Sequence, residues 1–60
     1  MKRSINFSLN QSDTIERCRE ERVRLFSSAA LPDGGTRVFC KTERGAAKLR
    51  LRLREYTIAG

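Results

Sequence analysis

Lys48-Leu49-Arg50-Leu51-Arg52-Leu53-Arg54 is the segment whose residue types and spacing carry the most chemistry. Cation and leucine alternate without a break, so in an extended strand Lys48, Arg50, Arg52 and Arg54 project from one face. Same-face side chains would stand about 6.6–6.8 Å apart, a ladder suited to the phosphates of an extended nucleic-acid strand. Guanidinium groups bind phosphate bidentately and give up hydration readily, which favours backbone contact without base readout. Arg37, Lys41 and Arg44 lie upstream and extend the same basic segment. Phe39 shares the side of its strand with Arg37 and Lys41, and Tyr56 follows Arg54, so both rings are candidate stacking surfaces for bases.

The charge is unevenly placed. The chain has 60 residues and a formal net charge of +6. Residues 1–35 hold six basic and five acidic groups; residues 36–60 hold seven basic and two acidic. A surplus confined to one segment raises the local field and points to a polyanion, either nucleic acid or an acidic protein surface.

Other chemistries are poorly supplied. With no histidine, imidazole bases and the commonest zinc sites are excluded. Cys18 and Cys40 are far apart and lack a metal-ligand spacing, so they are expected as free thiols packed in a reduced core. Gly34-Gly35 has no Gly-Lys-Ser/Thr after it and is a turn, not a phosphate loop. Arg52, Arg54, Glu55 and Tyr56 are the one set that could position a phosphate for RNA cleavage. Sixty residues frame such a site poorly. The expectation is a protein without catalytic residues, metal or cofactor.

The elements that position these groups follow from periodicity. Lys2 to Leu9 sets Ile5, Phe7 and Leu9 at period two, a half-buried strand. From Asp13, a suitable N-cap with Glu16 three residues on, to about Ala29 the period changes to helical. Ile15, Cys18, Phe26 and Ala29 fall on one face, flanked by Val23 and Leu25, while Glu16, Arg17, Arg19, Glu20, Glu21, Arg22 and Arg24 form a solvated face. Pro32-Asp33-Gly34-Gly35 breaks the chain, and residues 36–42 return to strand composition.

Residues 43–56 fit two states. As a strand, 48–54 pairs with 36–42 and misplaces no leucine. As a helix capped by Thr42, the segment stripes Ala46, Leu49, Leu53 and Tyr56 along one side and misplaces only Leu51. The strand is expected, giving an α+β domain over residues 1–60 in the order β-α-β-β, with one helix on a three-stranded sheet. The alternative is β-α-β-α with 43–56 helical.

No apolar run is long enough to span a membrane or serve as a signal peptide, so a cytoplasmic protein is expected. Hydrophobic residues are 38% of the chain and five are alanine, a lean core that favours a homodimer through an exposed sheet edge. The function expected is a non-catalytic nucleic-acid-binding accessory or regulator, of the kind mobile elements and phages carry. The alternative is a small inhibitor or adaptor docking on an acidic surface of a nucleic-acid-processing complex.

Overall fold

Thr36 donates its hydroxyl proton to the carbonyl of Leu9 at 2.9 Å, and the Thr14 hydroxyl, which bonds the Asn10 carbonyl at 2.7 Å, also lies 3.1 Å from that Leu9 oxygen; both side chains are fully buried. One peptide group thus ties the end of the first strand to the first helix and to the central strand. The computed structural model describes residues 3–58. Strands β1 (Ser4–Phe7), β2 (Leu25–Ala30) and β3 (Thr36–Cys40) form an antiparallel sheet in the order β1-β3-β2. Helices α1 (Gln11–Glu20) and α2 (Glu43–Arg52) follow β1 and β3, and a single 3-10 turn spans Arg54–Tyr56. The α+β class and the three-stranded sheet are those expected; two of the elements that build them are not. Lys2, where the first strand was expected to begin, lies outside the described residues.

β1 follows its alternation, with Ile5 and Phe7 buried and Ser4 and Asn6 half-buried on the opposite face. The cap of α1 is Asn10, not Asp13: its side-chain oxygen accepts from the Asp13 N–H at 2.8 Å. The helix stops at Glu20, well short of Ala29. Arg22 N–H bonds the Arg19 carbonyl and Val23 N–H the Cys18 carbonyl, both at 3.0 Å, while Arg22 sits at φ 59°. This is a Schellman turn with arginine in the left-handed position usually held by glycine. Beyond it, Val23-Arg24-Leu25-Phe26 combines β-branched, aromatic and alternating residues, and the chain from Leu25 to Ala30 pairs with β3, interrupted only by a bulge at Phe26.

The strand that pairs with β3 in a hairpin is therefore β2, not 48–54. Gly34, at φ 94°, makes the reversal, and Asp33 accepts from the Gly35 N–H at 3.1 Å. A side chain on Gly35 would run into the Phe7 carbonyl.

Residues 43–52 are helical, the alternative state, and the reason is tertiary. Both edges of β3 are already occupied, by β1 and β2. The inner sheet face (Ile5, Phe7, Val38, Cys40) needs cover, to which α1 contributes only Thr14 and Cys18 as buried residues. Ala46, Leu49 and Leu53 complete that cover, and Leu51 is left 69% exposed. Thr42 caps α2 by accepting from the Gly45 N–H at 2.9 Å.

After the 3-10 turn the chain runs antiparallel along the outer edge of β1. Ser8 N–H bonds the Tyr56 carbonyl at 2.7 Å, and Ile58 N–H bonds the Asn6 carbonyl at 2.8 Å. The order across the sheet becomes 56–58, β1, β3, β2, a split β-α-β arrangement with a minimal last strand. Among the described residues no helix is long and apolar enough to cross a membrane.

Candidate nucleic-acid interface

Directly paired residues of antiparallel strands point to the same side, so the register lists what the helix-free face carries. Ser4 pairs with Phe39 and Asn6 with Arg37 across β1 and β3; Ser27 pairs with Phe39 and Ala29 with Arg37 across β3 and β2. Phe39 thus occupies the middle strand with a serine on either side. Neither neighbour is large enough to cover its ring, which stays half-buried on the open face. A bulge between Leu25 and Ser27 re-aims Phe26, which is 76% exposed. Phe26 and Phe39 line an open depression of about 330 Å³ together with Arg3, Ser4, Cys40 and Lys41. Arg37 is fixed on the same face by its Nε, which donates to Asn6 Oδ1 at 2.9 Å.

The basic residues singled out by the sequence do not form one array. Arg37 and Lys41 flank Phe39, as the alternation of β3 requires. Lys41, Arg44 and Lys48 line a second depression, of about 420 Å³, with Arg22 and Arg24. The Arg50 guanidinium donates to the Ser4 carbonyl at 3.1 Å. Arg52 Nε pairs with Glu21 Oε1 at 3.1 Å, and Arg54 lies in the 3-10 turn, beside Glu55. The even ladder expected of 48, 50, 52 and 54 does not exist, because a helix turns its residues about the axis by 100° at each step. Lys48 and Arg52 share one side of α2 and Arg50 another. Tyr56 does not join Phe39: it packs half-buried against the core, under the Arg17 guanidinium at 5.1 Å from its ring centre.

Phe26 was expected in the core, and Arg22 and Arg24 on a helix surface. The readable signal for Phe26 was its neighbour Leu25, since consecutive strand residues cannot both face inward. Arg22 left no signal, because arginine in a left-handed turn has no sequence signature.

Cys18 and Cys40 are free and buried in the core, as expected. Burial pushes the Cys18 thiol from 9.0 up to about 11, with the neighbouring Cys40 adding to the shift. Burial also raises Cys40, partly offset by the Arg50 charge. Both stay protonated at neutral pH, so neither is poised as a nucleophile or metal ligand. Among the described residues no group of three Cys, Asp or Glu side chains is placed to hold a metal. In comparisons with family models, with curated proteins and with solved structures, this chain matches none.

Proposed function

We propose that this protein binds single-stranded nucleic acid without catalysis, on the open face of its sheet, as an accessory or regulatory factor. Phe39 and Phe26 stack on unpaired bases, while Arg3, Arg37 and Lys41 meet the phosphates. The observation that carries the reading is Phe39 between Ser4 and Ser27, an aromatic ring left partly exposed at the centre of a sheet, with Arg3, Arg37 and Lys41 on the same face. A partly exposed ring offers a π-face to any base, so the binding is tolerant of sequence. Compared with the sequence-based expectation, the centre of binding moves from the C-terminal basic segment to β3. Two free, buried thiols support a reducing, cytoplasmic setting.

A second copy is proposed to join through β2. This edge strand has six residues, Leu-Phe-Ser-Ser-Ala-Ala, and carries no charge in a chain that is 33% charged. Edge strands normally carry lysine or proline to prevent pairing; this one carries neither. Pairing two β2 edges would make one continuous platform from two sheet faces.

The test is titration of a labelled oligothymidylate with the native chain and with Phe39→Ala and Phe26→Ala. Each variant is expected to cost about 1–3 kcal/mol of binding, the contribution of one stacked base. Native-like affinity in both variants would refute the reading. An acidic protein is the competing occupant. It gains if oligonucleotide binding is absent while a partner stays on the immobilised protein after nuclease treatment.

A further inference from the structure

The second depression is built from cations that three separate chain segments bring together. Arg22 and Arg24 come from the turn after α1, Lys41 from the β3–α2 connection, and Arg44 and Lys48 from α2. No acidic side chain lines it. A main-chain bond from Lys41 N–H to the Arg24 carbonyl, 3.2 Å, fixes two of the segments. Lys48 Nζ donates to the Glu21 carbonyl at 2.7 Å. Among the described residues, the side chains of Arg22, Arg24, Lys41 and Arg44 make no hydrogen bond or ion pair. Like charges lining one depression repel, weakly where water screens them, and a bound anion turns that repulsion into attraction. Lys41 lines this cleft and the sheet-face depression alike, so the two adjoin at that residue. Arg22 holds its left-handed conformation, φ 59°, where glycine would be unstrained. A strained residue that contributes a charge to a cleft of charges is the pattern of a functional position.

We infer that the cleft formed by Arg22, Arg24, Lys41, Arg44 and Lys48 is a phosphodiester site that takes the backbone of a nucleic-acid strand as it leaves the sheet face. The identity of the strand rests on the reading given above; the cleft and its charges do not. Arg22 and Arg44 supply guanidinium groups for bidentate phosphate contact, and Lys41 carries the backbone across from the bases stacked at Phe39.

The test compares oligothymidylates of about 4 and about 12 nucleotides, a range that brackets the footprints of small single-strand-binding folds. The native chain should bind the longer one more tightly and with a steeper salt dependence. In Arg22→Gly, Arg44→Gln the longer oligonucleotide should lose roughly tenfold in affinity, and its log–log salt slope should shrink by about 1.4, at ~0.7 per phosphate contact. The short one should bind as before. Arg22→Gly alone should raise the thermal midpoint, by about 4–8 °C, as the left-handed strain is relieved. Lost binding would then not be lost folding. The inference is overturned if the double variant keeps native affinity and slope for the longer oligonucleotide. It is also overturned if the variant loses only inorganic phosphate, followed by amide shifts at positions 22 and 44, since the cleft would then serve a free anion. Phe39→Ala separates the two readings: if it leaves both lengths unaffected while the cleft variant weakens the longer, the sheet-face reading fails and the cleft stands.

Discussion

Asn6 and Arg37 face each other across β1 and β3, and the Asn6 amide oxygen accepts from Arg37 Nε at 2.9 Å. The bond leaves the terminal nitrogens of the guanidinium free to contact a phosphate while removing much of its rotamer freedom. Immobilising a long side chain on binding costs about 0.5–1.5 kcal/mol, and here that ordering precedes the ligand. Asn6→Ala should therefore weaken oligonucleotide binding roughly 2–10-fold, with Arg37 itself unaltered. Thermal unfolding should move little, because the bond is exposed. Equal affinities for Asn6→Ala and the native chain would show that the Asn6 bond does not prepare Arg37 for binding.

Leu49 and Leu51 separate the helical state from the extended one. Leu49 is fully buried and Leu51 is 69% exposed. Leu49→Ala should cost about 2–5 kcal/mol of stability, enough to unfold much of a domain this small. Leu51→Ala should stay within about 0.5 kcal/mol of the native chain. Comparable losses at the two positions, read by urea denaturation, would indicate the alternating strand instead.

The Cys18 thiol gives the fold a sensitivity to alkali. Its pKa rises from 9.0 to about 11 on burial. Above about pH 9 the unfolded chain releases this proton and the folded chain keeps it, so the unfolded state gains. Stability from this group is whole below pH 9 and declines as pH rises through 11. Cys18→Ala should be less stable at pH 7 through lost packing. Its further decline between pH 9 and 11 should be shallower than that of the native chain. Parallel declines in denaturant midpoint would remove Cys18 as the cause.

A charge on the β2 edge tests self-association. Ala29 is exposed and pairs with Arg37, so Ala29→Lys keeps the core intact and adds a cation to an edge that carries none. Sedimentation should give a dimer for the native chain and a monomer for the variant. A native chain that sediments as a monomer at all concentrations would refute the β2 interface.

How much of this was legible beforehand depended on the range of each signal. β1, β3, the Gly34 turn and the Thr42 cap were readable because alternation, positive φ and side-chain capping act within a few residues; the cap of α1 was expected three residues late, at Asp13 instead of Asn10. Phe39 among Arg37 and Lys41 was readable for the same reason: a strand sends alternate residues to opposite sides wherever it lies in the sheet. The end of α1 was not, since Val23 and Leu25 suit helix and strand alike until β3 offers its edge.

What the sequence by itself determined is the class of the fold, one buried face to a strand and one to a helix, and the concentration of charge beyond residue 36. The tertiary structure alone decided where those charges meet. Residues 43–52 alternate as a strand and stripe as a helix, and local energetics separate the two states weakly. With β1 and β2 on both edges of β3, no edge remained for a further strand there, and the exposed apolar face of the sheet needed Ala46, Leu49 and Leu53. Burial of that face chose the helix. The same choice dispersed the arginine ladder, freed Phe26 and Phe39 on the far side, and brought Arg22 beside Arg44.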